Sequence, residues 1–226
     1  MSTFLLVPGA GGAAWYWHRV VPLLEAAGHD VIALELPGPD ERSGLPEYRD
    51  LMVRAGEGRG RLVVVAQSMG GFTAVPACRH LPVERLVLNN AMVPAPRECA
   101  NDWWLATDWE AARIAGARDG GWTTDFDMEA YFFHDVDPDV LAAGAAHAHP
   151  EAEVAFTQPC DFLRWPDVPT TVLAGEGDRL FPLAFQRRVA RRRLGLDVVP
   201  VPGGHLNALS RPQELAATLV GLASAD

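Results

Sequence analysis

Short apolar runs recur along the chain, and longer stretches with helical spacing separate them. Phe4–Val7, Val31–Leu34, Leu62–Ala66, Arg85–Asn89, Thr170–Ala174 and Val198–Val201 read as strands buried on both faces. Trp15–Ala27, Met69–His80, Pro182–Leu194 and Pro212–Leu222 read as helices. Pro182 and Pro212 fall in first turns, where a missing N–H costs nothing. This alternation predicts an α/β fold: a doubly wound, mostly parallel sheet of about six strands with helices on both faces. Such sheets bind ligands at the carboxyl ends of their strands.

The alternation stops between 93 and 166. That stretch is rich in aromatic residues and is too long for a simple loop. Helix-like pieces at Trp103–Ala115 and Pro138–His149 predict a helical lid inserted after the fourth strand. The expected organisation is a core formed by 1–92 and 167–226, with a lid at 93–166.

Composition narrows the classes of function. The 226 residues are 49% hydrophobic, enough for one sizeable core. No basic segment precedes the first apolar run, so no secretory signal is expected, and no run approaches the roughly 18 residues of a membrane span. Cys78, Cys99 and Cys160 show no paired spacing, which fits a reducing, cytoplasmic compartment. A net charge of −10 disfavours nucleic acid and anionic membrane surfaces as partners. All 19 basic residues are arginine, which excludes Schiff-base lysines and lysine phosphate loops. The arginine run at 187–193 reads as a solvated helix face. Oligomeric state is left open.

One motif carries chemistry. Ala66-Gln67-Ser68-Met69-Gly70-Gly71 follows a buried strand and opens a helix. A central serine between small residues in that setting is the pattern of a nucleophile elbow, whose strained turn holds the hydroxyl clear of the sheet. A serine needs a base and an acid that orients the base, in the chain order serine, acid, histidine. Asp178 follows the strand Thr170–Ala174, and His205 follows Val198–Val201. Glu176 is the nearest competitor to Asp178, and a loop-capping role is the alternative for His205. Two backbone N–H groups would form an oxyanion hole: Met69, next after the serine, and Ala10 in the loop Pro8-Gly9-Ala10-Gly11-Gly12. Among the lid aromatics, Trp103, Trp104, Trp122 and Phe132 are candidate substrate contacts, with lid core as the alternative. His147-Ala148-His149 lacks a third ligand, so neither a metal nor any cofactor is expected.

At this point the chain resembles the α/β-hydrolase superfamily, and within it the methylesterase and hydroxynitrile-lyase branch. The likeness rests on Phe4–Ala10, Ala14–Trp17, Pro22–His29, Asp178 with Phe181-Pro182 and Phe185-Gln186, and Gly204-His205 with Leu209–Pro212. It implies Ser68 as nucleophile, His205 as base, Asp178 as its acid, and the amides of Ala10 and Met69 as the oxyanion hole. Two positions depart from the family pattern. Pro8 replaces a histidine, and Ala66-Gln67 replaces Gly-His. The lyase members carry a lysine after the catalytic histidine and a threonine in the first loop. Here those places hold Leu206 and Gly9, which argues against that activity.

The expected activity is a serine esterase acting on a small or medium, largely apolar carboxylic ester. The same triad would serve lactone or thioester hydrolysis, or acyl transfer. A catalytically weak binding protein on the same scaffold is the alternative that Pro8 favours. From Arg97 to Asp139, eleven acidic residues face only three arginines, so the rim is expected to repel anions.

Overall fold

The computed structural model describes residues 1–224. In chain order the main elements are β1 (Thr3–Val7), α1 (Val21–Ala26), β2 (Asp30–Ala33), α2 (Leu45–Gly56), β3 (Leu62–Gln67), α3 (Gly70–Ala77) and β4 (Val83–Asn89). They continue with α4 (Ala100–Ala106), α5 (Trp109–Gly120), α6 (Pro138–Gly144), α7 (Glu153–Thr157), β5 (Thr170–Gly175), α8 (Leu183–Leu194), β6 (Val198–Val201), α9 (Asn207–Ser210) and α10 (Pro212–Ser224). The six strands form one parallel sheet in the order β2-β1-β3-β4-β5-β6.

Side-chain alternation divides the core between the two faces of this sheet. Leu5, Val7, Val64 and Ala66 pack towards α2, α3 and α8 through Met52, Phe72 and Phe185. Phe4, Leu6, Val63 and Val65 pack towards α1 and α10 through Leu24, Leu215 and Leu219. The central strands β1 and β3 are buried throughout, which explains their unbroken apolar sequences. Pro200 lies in the edge strand β6, where a missing ladder donor is tolerated.

Strand order reverses at β1: β2 lies on one side of it and β3 on the other. Loops leaving β1 and β3 therefore diverge to opposite faces and leave a crevice at the carboxyl ends. The pairing of Val7 with Ala66 sets the loop after β1 directly beside the Gln67-Ser68 turn.

Several elements differ from the sequence-based expectation. The helix α2 was not expected, although Leu45, Tyr48, Met52 and Gly56 recur at helical spacing on its buried face. Its N-terminus is closed by Glu47, whose carboxylate accepts from the Gly44 N–H at 2.9 Å. The stretch expected as one helix over Trp15–Ala27 is a 3-10 turn, Ala14–Trp17, followed by α1. The stretch at Trp103–Ala115 divides at Asp108, whose φ of 55° cannot continue a helix. The expected helix from Met69 to His80 is α-helical over Gly70–Ala77, with Pro76 inside it, and continues as a 3-10 turn over Cys78–His80. Pro76 leaves the Phe72 carbonyl without its helical donor, and the Cys160 Sγ–H donates to that oxygen instead, at 3.3 Å. The segment between β4 and β5 carries α4 to α7 joined by irregular stretches, with a π-turn at Glu129–Phe133.

Candidate active site

Ser68 lies between β3 and α3 with φ 50°, a left-handed conformation that few serines adopt. Its neighbours enforce the turn. A Cβ on Gly70 would stand 2.5 Å from the Pro8 carbonyl oxygen, and one on Gly71 would collide with that of Met92. Only glycine lets the helix start this close to the ends of β1 and β4. The Met92 N–H donates to the Ser68 carbonyl at 2.9 Å and fixes the turn from the β4 side.

Three side chains meet there in a line. His205 Nδ1–H donates to Asp178 Oδ2 at 2.9 Å, and Ser68 Oγ–H donates to His205 Nε2 at 3.1 Å. A carboxylate only accepts, so Asp178 assigns the proton to Nδ1 and leaves Nε2 free to take the serine proton. His205 and Asp178 are both buried, whereas Ser68 is only partly buried. The rings of Phe181 and Phe132 stand edge-on to the imidazole at 4.9 and 5.2 Å and shield it from water. Glu176, the other carboxylate of this loop, is exposed.

Sequence reasoning assigned no role to the residues that hold this line in place, although Gln186 lies within the family likeness. Asn90 follows β4 in the left-handed region, with φ 47°. Its Oδ1 accepts from the Gly175 N–H at 2.6 Å, and its Nδ2 donates to the Gly204 and His205 carbonyls at 3.0 and 3.2 Å. One buried amide therefore ties the acid loop to the histidine loop. Gln186 Nε2 donates to Asp178 Oδ2 at 3.2 Å and to the Phe181 carbonyl at 2.8 Å, and the Phe181 N–H donates to Asp178 Oδ1 at 2.8 Å. Asp135 accepts from the Gly204 N–H at 2.6 Å and so holds the histidine loop from above. A polar pair, Asn89-Asn90, ending an apolar strand was the available signal.

The loop after β1 faces Ser68. A Cβ on Gly9 would collide with Gln67 Oε1 and stand 2.9 Å from the Ser68 Cβ, so this place takes no side chain. Ala10 and Met69 both line the cavity at Ser68. Glu151 braces this loop. Its Oε2 accepts from the Gly11 N–H at 2.7 Å, and its Oε1 accepts from the Tyr48 hydroxyl at 2.5 Å. Burial pushes the Glu151 carboxyl above the ordinary carboxylate range, against the smaller opposite pull of these two hydrogen bonds.

The cavity at Ser68 has a volume of about 470 Å³. Trp104 and Phe132 line it, together with Trp109 and Phe126. Trp103 and Trp122, also expected as substrate contacts, lie elsewhere. Trp103 is fully buried in the core, its Nε1–H donating to the Val93 carbonyl at 3.0 Å. Trp122 stacks under the Arg179 guanidinium, 4.6 Å from its ring centre. The arginine run is also divided: Arg193 turns inward to a two-toothed pair with Glu98, anchoring the segment after β4 to α8.

A family model described as the alpha/beta hydrolase family matches residues 4–218. The chain belongs to the alpha/beta hydrolase family. Among curated relatives, norfluorocurarine synthase 1 from a Strychnos species is 38% identical over 90 residues, covering 35% of this chain and 34% of that protein. Methyl jasmonate esterase 1 of Vitis vinifera is 32% identical over 108 residues, covering 41% and 40%. The chain thus spans well under half the length of these relatives. Among solved structures, polyneuridine aldehyde esterase superposes with a TM-score of 0.81 at 19% identity, over 99% of this chain and 100% of that one. In this hydrolase the loop after β1, the turn after β3 and the loops after β5 and β6 all converge on one crevice.

Proposed function

We propose that this hydrolase cleaves a small or medium, largely apolar carboxylic ester through an acyl-enzyme on Ser68. The observation that carries the reading is the continuous hydrogen-bonded line from Ser68 through His205 to Asp178. In the first step His205 Nε2 takes the Ser68 proton as Oγ attacks the ester carbonyl. The amides of Ala10 and Met69 receive the negative charge that develops on the carbonyl oxygen. His205 then gives its proton to the leaving alcohol. A water activated by the same imidazole releases the acid and restores the serine. Asp178 keeps the imidazole in the required tautomer and stabilises its cationic form. The segment 93–166 serves as the lid that excludes water and supplies the aromatic wall.

The apolar preference is supported by the cavity lining, in which Trp104, Trp109, Phe126 and Phe132 stand opposite the serine. A fluorophosphonate probe followed by mass mapping tests the reading. Labelling at Ser68, lost in Ser68→Ala and weakened in His205→Ala, is the expected result. Folded protein that takes no label would instead favour a binding role on a hydrolase scaffold.

A further inference from the structure

A second cavity of about 440 Å³ adjoins the one at Ser68. The two share Ala10, Phe133 and Leu206 in their walls. Ala10 carries one amide of the oxyanion hole, and Leu206 follows the base, so the border between the cavities runs beside the reacting carbonyl. Beyond that border the walls are Trp15, Leu141, Ala145 and Leu209. Neither a carboxylate nor a guanidinium lines this space. Its polar groups are the buried Tyr16 and the His147 ring, which lies flat on Trp15 with centroids 5.5 Å apart. The wall depends on a close approach: a Cβ on Gly144 would stand 2.6 Å from the Trp15 ring.

A carbonyl carbon carries two substituents that diverge from its oxygen. With that oxygen at the Ala10 and Met69 amides and the carbon at Ser68, the substituents leave towards different sides of the serine. One arm meets the wall of Trp104, Trp109 and Phe132, and the other meets the border formed by Ala10 and Leu206. We propose that the second cavity receives this other arm, and that the substrate class is a neutral ester with an apolar group on each side of the carbonyl. A methyl ester or an acetate would fill only one of the two spaces. This inference rests on the serine-hydrolase reading of the same site.

The test compares methyl hexanoate, hexyl acetate and hexyl hexanoate. Each methylene newly buried should raise kcat/KM by about fourfold. Hexyl hexanoate should therefore exceed the better one-armed ester by tenfold or more. Ala145→Trp, which puts a ring into the second cavity, should lower that ratio about tenfold. Leu141→Ala, which enlarges the cavity, should move the preferred arm length upwards. A two-armed ester no better than the one-armed ones, or a ratio unmoved by Ala145→Trp, would overturn the inference while fluorophosphonate labelling of Ser68 left the hydrolase reading intact. Absence of both labelling and turnover in the parent protein would overturn both.

Discussion

At Ser68 two demands compete. The hydroxyl must stand free of the sheet, so the backbone is held at φ 50°, and any residue with a Cβ is strained there. Ser68→Ala removes the nucleophile and keeps the strain. Ser68→Gly removes both. Both variants should lose activity by roughly 10⁴–10⁶-fold, because groups of a triad act as a unit. The glycine variant should be the more stable of the two by about 1 kcal/mol, since only glycine accepts this backbone freely. Thermal denaturation of the pair checks this, and equal stability would remove the argument for strain. Asn90 poses the complementary case, a residue outside the Ser68–His205–Asp178 line that holds the two loops carrying Asp178 and His205. Asn90→Ala would leave the Gly175 N–H and the Gly204 carbonyl without their side-chain partner and the His205 carbonyl with only Gln67 Nε2, at a cost of about 3 kcal/mol. Asn90→Asp keeps the acceptor for Gly175 and loses the donors. It should fold, with kcat reduced and its acid limb shifted as a new carboxyl is brought to the histidine loop.

Among the elements, the loop after β1 has the least support of its own. It begins with Pro8, which has no N–H, and its Gly11 N–H is held by Glu151 from the far end of the segment between β4 and β5. Glu151 also receives the Tyr48 hydroxyl from α2, so three distant pieces of chain meet at one carboxylate. Glu151→Ala should loosen the loop and lower kcat roughly 10–100-fold with little change in KM, the signature of a misplaced oxyanion donor. Its pH behaviour has a definite sign. The folded-state carboxyl is raised, so the folded state holds this proton more tightly than the unfolded chain. Its contribution to stability is therefore greatest at low pH and is lost as pH rises from the ordinary carboxylate range through the raised value. Glu151→Gln removes that loss. Relative to the parent it should gain stability in urea titrations as pH rises above the ordinary carboxylate range, and a difference that does not change with pH would contradict the assignment. None of this was legible in the sequence, because 140 residues separate Glu151 from Gly11. The six strands were legible, since each is an apolar run between turn residues, and the three residues expected just past β3, β5 and β6, Ser68, Asp178 and His205, meet in one hydrogen-bonded line. The helix α2 was missed although its spacing was present, because its Glu47, Arg49, Asp50 and Arg54 dilute a short apolar stripe. The aromatic residues of 93–166 could be counted but not sorted. Trp103 and Trp104 are adjacent in sequence, and only packing decides that the first enters the core while the second faces the cavity.

For the molecule as a whole, a net charge of −10 acts on every approaching ligand. Residues 97–139 concentrate that charge, with Asp102, Asp108, Glu110, Asp119, Asp125 and Asp127 exposed, and Asp108 and Glu110 share a surface hollow with Trp104 and Trp109. Arg113 does not offset it at the surface, because its guanidinium is buried against the Tyr131 ring, 4.8 Å from its centre, and donates to the Thr124 carbonyl. Inside, Glu151 is the only carboxylate in the lining, and no arginine accompanies it. A substrate carrying its own carboxylate is therefore repelled on approach and finds no cation on arrival. Its kcat/KM should be low at about 10 mM salt and rise several-fold by about 300 mM, where the Debye length has shortened to a few ångströms. An uncharged ester of the same size should show no such slope, and a quaternary-ammonium ester should show the opposite one. Measuring all three isolates the field from the chemistry, because in the proposed mechanism Ser68, His205 and the amides of Ala10 and Met69 would act on the same carbonyl in each. An anionic ester preferred at low salt would mean that the field does not control entry, and the charge of the rim would then need another explanation.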